Sequence, residues 1–367
     1  MTQTAFTMLC GLLAGATSAQ DVPLSGWNLI IQQGRSAQVL GILRARLESA
    51  GQFADVPESV RWHLDAANVV ANKNYRDAIV EISQFLPVFK RLDIPLILLK
   101  GAAYLAIDAS FARGRAFSDL DILVPEPRLE ELEKALHFYG WNSSYHSKYD
   151  QKYYRQWMHE LPPLKHNKRG TVLDIHHTIL PLTARLKPPA QKLFDSAVPT
   201  KKFDGVWTLS PHDMILHAAT HLFMDSEYNH AFRDLVDIDG LLRLYSDDAE
   251  TFWQDLLARA EEMDLLPPLI YALRHVRRVF DTPVPDVVLR DCLQLWQPRL
   301  PVAQMDAWFE RILRPPHSSC DLPGTRIAQS LFHVRGHYLR MPIRLLAYHL
   351  SRKAIVSPFE KENTSQT

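Results

Sequence analysis

Cysteine is scarce in this 367-residue chain: there are three, Cys10, Cys292 and Cys320, far apart and odd in number. No pair has the spacing of a zinc or redox motif, and the set fits a reducing, cytoplasmic compartment. Excess charge of one sign is also missing. Basic and acidic residues number 41 each, so no overall field draws the chain to nucleic acid or an anionic membrane; only local patches are left to do so. No apolar run approaches the roughly 20 residues that a spanning helix needs. There is no Rossmann fingerprint, Walker motif, kinase signature or Gly-x-Ser-x-Gly, which sets aside the commonest glycine-marked chemistries. Internal repeats, Gly-Ser linkers and low-complexity segments are absent as well.

Met1 to Gln20 is apolar and rich in small residues, and Ala16-Thr17-Ser18-Ala19 has the form of a cleavage site. A secretory leader starts with positive charge, yet the first Lys or Arg is Arg35. The expectation is therefore a core-packing helix over Phe6–Leu13. From Trp27 to Leu92 apolar residues recur at helical spacing. Ile94-Pro95-Leu96-Ile97-Leu98-Leu99 reads as a buried strand entered by proline, followed by a helix from Lys100-Gly101 to about Ala112. Asp119 to Val124 reads as a second strand, Leu129 to Tyr139 as an amphipathic helix, Trp141 to Tyr145 and Thr171 to Ile175 as further strands, and Val206 to Leu209 as an edge strand. Ser210-Pro211-His212-Asp213 carries a helix-start signal, with a serine cap, proline at the first position and an early acid. Helices are expected at about 211–224, 230–246, 250–263, 266–280, 286–296, 303–313 and 325–350.

The chemistry lies in Asp119-Leu120-Asp121. A strand alternates its side chains, so the two carboxylates share a face while Leu120 and Ile122 turn inward. Adjacent carboxylates repel, and a hard divalent cation that prefers oxygen ligands relieves that repulsion. The order Leu99-Lys100-Gly101-Ala102-Ala103, then Arg115-Ala116-Phe117-Ser118-Asp119-Leu120-Asp121 and an apolar run, resembles the uncharacterised bacterial nucleotidyltransferases of the polymerase-beta-like superfamily. Thr171-Val172-Leu173-Asp174-Ile175-His176 fits that family's third carboxylate. The resemblance is specific between about Pro95 and Thr178 and weaker from Ser210 to Leu244.

The resemblance implies an α+β protein: a small mixed-sheet nucleotidyltransferase core over 94–209, between an N-terminal helical region (1–93) and a C-terminal helical region (210–367). It implies transfer of a nucleoside monophosphate from a nucleoside triphosphate (NTP) to an acceptor, with release of pyrophosphate. Mg2+, or Mn2+ in its place, would be held by Asp119, Asp121 and Asp174, and Asp174 would be placed to take the acceptor's proton. Lys100, Gly101, Ala102 and Arg115 are the candidate triphosphate contacts. Glycine lets a phosphate approach the backbone, while Ala102 stands where much of the superfamily has serine, so backbone and cations must serve. Lys100 reads otherwise as a surface charge, and Arg115 as a structural partner of Asp119 or Asp121.

His176 shares the face of Asp174 and either touches substrate, orients a ligand or makes a structural hydrogen bond. His217 and His221 lie one turn apart, but no catalytic Glu stands between them, which disfavours a zinc protease. The resemblance places His221 and Asp237 near the cleft, where helix packing and mutual contact would support the site. The acceptor is open: small molecule, saccharide, peptide or protein. Charge balance disfavours nucleic acid, though a toxin-like enzyme acting on tRNA is one alternative and a non-catalytic nucleotide-binding scaffold another. Basic and apolar residues alternate around Arg335, Arg340, Arg344, Arg352 and Lys353, beside a kinking Pro342. That pattern suits a solvated face over a packed stripe and also allows peripheral membrane contact.

Overall fold

The structure is a computed structural model that describes residues 4–117, 119–143, 147–246, 251–298 and 300–348, with Lys148 described through its backbone alone. It is an α+β fold with helices at both ends of a mixed sheet. Helices α1 (Ala5–Ala14), α2 (Leu24–Ser36), α3 (Leu40–Ser49) and α4 (Glu58–Leu92) precede the sheet. In α1 the Thr4 side chain accepts a hydrogen bond from the Thr7 amide, Leu9, Leu12 and Leu13 are buried, and Gly15 ends the helix in a left-handed turn, as its C-cap position favours. The 35-residue α4 buries Leu64, Ala71, Ala78, Ile82, Phe85 and Phe89, a single stripe at helical spacing.

The chain continues as β1 (Leu96–Leu98), α5 (Lys100–Ala106), β2 (Asp119–Leu123), α6 (Leu129–Phe138), β3 (Trp141–Ser143) and α7 (Lys148–Trp157). Then come β4 (Leu164–His166), β5 (Val172–His176), α8 (Ala190–Asp195), β6 (Val198–Pro199) and β7 (Val206–Thr208). The strands lie in the order β3-β4-β5-β2-β1-β7-β6. The pairs β2/β5 and β1/β7 are parallel and the rest antiparallel. Helices α9 (Pro211–Met224), α10 (Ala231–Ser246), α11 (Phe252–Glu262), α12 (Leu266–Phe280), α13 (Asp286–Leu295), α14 (Val302–Ile312) and α15 (Thr325–Arg340) complete it.

Several expectations need correction. The helix after Lys100 stops at Ala106 because Asp108 takes a left-handed φ of 55°, and a short 3-10 turn, Ser110–Ala112, follows. Strand β7 is interior: β6 pairs with its far side and forms the edge. Helix α7 was not foreseen, although Tyr149, Tyr153 and Trp157 recur at helical spacing along it, and neither were the short strands β4 and β6. Strand β2 is covered on both faces, so Asp121 is buried along with Leu120 and Ile122. Helix α15 ends at Arg340, where Met341 turns extended ahead of Pro342. The end of the Trp141–Tyr145 strand, the end of the 325–350 helix and the basic residues Arg352 and Lys353 lie outside the described residues.

The segment between α5 and β2 is clamped from two sides. Gly41 of α3 and Gly114 meet backbone to backbone: a Cβ on Gly41 would fall 2.2 Å from the Gly114 oxygen, and one on Gly114 would fall 2.1 Å from the Gly41 oxygen. Gly114 also has φ +78°. On the other side Phe111 fills the space over Gly240 of α10. This clamp sets the position of Arg115 and hence the entrance to β2. Gly114→Ala combines a left-handed backbone with a backbone clash and should cost at least about 2 kcal/mol. Gly15→Ala, at φ +76° with nothing within 4 Å, should cost only about 1 kcal/mol. Denaturant titration of both variants checks this, and equal losses would mean that the Gly41–Gly114 contact is not a constraint.

Candidate active site

The parallel register sets Asp121 of β2 directly opposite Asp174 of β5, and Leu123 opposite His176. Alternation then puts Asp119, Asp121, Asp174 and His176 on one face. Asp121 Oδ1 accepts hydrogen bonds from Lys100 Nζ at 2.8 Å and His176 Nε2 at 3.0 Å. Burial favours the neutral carboxyl, but Lys100 and His176 outweigh it and hold Asp121 far below the usual carboxylate range. Lys100 is held protonated in turn, because Asp121, Glu160 and Asp119 outweigh its own desolvation. Asp174 has no such help. Its Oδ1 is buried without a hydrogen-bond partner. Burial first, then the charges of Asp121, Glu160 and Asp119, push its carboxyl up to about 8.

Arg115 does not pair with Asp119 or Asp121. Its Nε and Nη2 grip Asp237 of α10 at 2.8–2.9 Å, deep in the protein. Burial alone would disfavour the guanidinium, but Asp237 holds it above its ordinary value. A buried, bidentate pair of this kind positions the elements it joins. Gly101 makes room for it: a Cβ there would lie 2.6 Å from Arg115 Nη1. The left-handed residue at this turn is Lys100 itself, with φ +46°. Ala102 is buried in the core rather than presented to the cleft.

The contact expected between His221 and Asp237 does not form. His221 Nδ1 faces Asp234 Oδ2 at 3.5 Å, one helical turn before Asp237, which Arg115 occupies. Burial would raise Asp234, but the hydrogen bond and charge of His221 win and hold it low. His217 is buried and kept neutral chiefly by desolvation.

Lys100, Gly101, Arg115, Asp119, Asp121, His221 and Asp237 all border one cleft of about 670 Å³, with Arg233 and Asp234 beside them. Its far wall is α4, with Trp62, Ala66 and Val70. Asp174 and His176 lie behind Asp121, one strand away. Sequence reasoning missed His159 and Glu160. The Leu161 amide bonds the Ile175 carbonyl and the His177 amide bonds the His159 carbonyl, both at 2.9 Å, which lays this segment along β5. No alternating pattern marks it, and the adjacent His-Glu dipeptide was the one signal available.

A family model described as an uncharacterised nucleotidyltransferase matches residues 23–281. The chain belongs to this family. No curated protein matches the chain, and no solved structure does. Nucleotidyl transfer is thus its general activity and a nucleoside triphosphate its substrate, and the matched span contains every carboxylate described above. Such a nucleotidyltransferase implies a divalent cation, and one orphaned carboxylate oxygen on this face suits a cation. Asp119, Asp121 and Asp174 share one sheet face with Lys100 bonded to Asp121, and the buried Asp174 oxygen has no hydrogen-bond partner, but the close group of ligand atoms among the described residues is His159, Glu160 and His176.

The raised Asp174 pKa has a definite sign. The folded, metal-free protein keeps this proton up to about pH 8, whereas the unfolded chain releases it near 3.9. Wild type therefore loses stability as pH rises between those values. Asp174→Asn has no proton to lose, so without metal it should match wild type near pH 4.5 and melt at least about 4 °C higher at pH 8. Mg2+ at pH 8 should stabilise wild type and not the variant. Thermal melts across pH check this; a constant difference would mean that Asp174 ionises normally.

Proposed function

We propose that this protein is a divalent-metal-dependent nucleotidyltransferase that moves a nucleoside monophosphate from an NTP to a hydroxyl of a non-nucleic-acid acceptor, releasing pyrophosphate. The observation that carries the reading is the Asp121–Asp174 pair, in register across two parallel strands, with one carboxylate oxygen buried and unpaired. Asp119, Asp121 and Asp174 would hold the ion. Mg2+ or Mn2+, when bound, supplies charge neutralisation to the triphosphate and lowers the pKa of the attacking hydroxyl.

The remaining roles belong to the chain. Lys100 borders the cleft with its side chain 27% exposed, and exchanges Asp121 for a phosphate oxygen when substrate enters. Arg115 keeps its grip on Asp237 and holds the turn that carries Lys100 and Gly101, so it positions rather than contacts the phosphates. The acceptor oxygen attacks the α-phosphorus; the new O–P bond forms as the bridging α–β O–P bond breaks and pyrophosphate leaves. Asp174, ionised in the loaded site, accepts the hydroxyl proton. Trp62, Ala66 and Val70 on the far wall favour an acceptor with an apolar surface, and the zero net charge argues against a polyanionic one.

A nucleotide-binding protein without catalysis is favoured by one feature: Asp121 already has two nitrogen partners. Incubating the intact protein with NTPs labelled at the α or the γ phosphate, in cell extract with Mg2+, separates the readings. The α label should move to an extract component as pyrophosphate appears, and Asp121→Asn should lower transfer roughly hundredfold or more. Transfer of the γ label instead, or full transfer by Asp121→Asn, would overturn the proposal. A nucleotide bound without transfer would support the scaffold.

A further inference from the structure

Beside the carboxylate face lies a second donor cluster of different chemistry. His159 Nε2 is 3.8 Å from Glu160 Oε2, His176 Nε2 is 3.5 Å from the same oxygen, and the three ligand atoms lie within 4.8 Å of one another. Two ligands of a tetrahedral ion at about 2.0–2.1 Å sit roughly 3.4 Å apart, so the two contacts to Glu160, at 3.8 and 3.5 Å, need to shorten by only tenths of an ångström. Two backbone hydrogen bonds hold it in place: those of the Leu161 and His177 amides, which together make the isolated bridge between Glu160 and His176. His176 is buried and His159 and Glu160 are each less than a fifth exposed, so these are not loose surface groups.

We infer that His159, Glu160 and His176 form a binding site for a borderline transition-metal ion such as Zn2+, distinct in preference from the carboxylate face. Imidazole nitrogens select such ions over Mg2+, which favours oxygen. Asp121 Oδ1, 3.0 Å from His176 Nε2, stands next to the site and links it to the carboxylates. An ion here would draw His176 off Asp121 and add positive charge beside Asp174. The Nδ1 atoms of both rings are buried without a protein partner. Ligation through Nε2 puts the proton on Nδ1, where no outer carboxylate receives it or orients the rings. That lack costs affinity by about 10–100-fold per missing partner, so the site should load reversibly rather than permanently.

Only the identity of the neighbouring carboxylates rests on the proposed function. Calorimetric titration of the intact chain with Zn2+ in excess Mg2+ tests the inference, because Mg2+ then occupies the all-oxygen positions. One Zn2+ per chain should bind, His159→Gln and Glu160→Gln should each weaken it at least tenfold, and Asp119→Asn should leave it within twofold. The visible spectrum of wild-type protein loaded with Co2+ needs no variant to fold, and it should show the intense bands of four-coordinate nitrogen and oxygen ligation. Displacement of Zn2+ by Mg2+, equal binding by all three variants, or a weak six-coordinate Co2+ spectrum would each overturn it. Those results would leave Mg2+-dependent transfer standing, and absence of transfer would leave a positive Zn2+ titration standing.

Discussion

Crowding of negative charge on one sheet face is the constraint around which this molecule is arranged. Parallel pairing of β2 and β5 puts Asp121 and Asp174 opposite each other, and neither strand can slip by one residue without turning its own carboxylate to the other face. Two nitrogens bond Asp121, whereas the buried Asp174 Oδ1 has no hydrogen-bond partner and, for compensation, feels only the charge of Lys100. The empty protein therefore keeps a proton where the loaded protein would hold a cation. Sheet register, the left-handed Lys100 and the bond from His176 together hold Asp121 in this arrangement.

The surrounding helices act on the site through the turn that carries it. Arg115 joins the loop before β2 to α10 through Asp237, and Gly41 presses α3 onto the same loop from the other side. Elements far apart in sequence thus converge on a few residues next to Asp119. Removing either partner of the Arg115–Asp237 pair would strand a buried charge, a loss of about 3–5 kcal/mol. The pair accordingly fixes geometry rather than adding net stability, and the cleft between α4, α10 and β2 depends on it.

Much of this was legible in the residues. The alternation of Asp119-Leu120-Asp121 and of Leu173-Asp174-Ile175 gave the strands and the shared face, and both follow from a side-chain period of two. Ser210 caps α9 through the Asp213 amide, as the local signal required. What stayed hidden is long-range. Nothing near Arg115 identifies a partner 122 residues away, and the need of Gly101 to make room for Arg115 exists only in three dimensions. His221 and Asp237 were one turn out of step, since helix pairing fixes rotation that sequence spacing does not. Glu160 lies on an irregular segment positioned by hydrogen bonds to β5, and irregular backbone leaves no periodic trace.

The central claim is that the carboxylate face joins a divalent cation to a triphosphate. Calorimetric titration of the intact chain with a triphosphate carrying a non-hydrolysable α,β-methylene bridge, with and without Mg2+, addresses it most directly. Metal and nucleotide sharing one site must strengthen each other's binding reciprocally. The account requires at least tenfold tighter triphosphate binding with Mg2+, and equal strengthening of Mg2+ by the nucleotide. Identical affinity with and without the ion would contradict it.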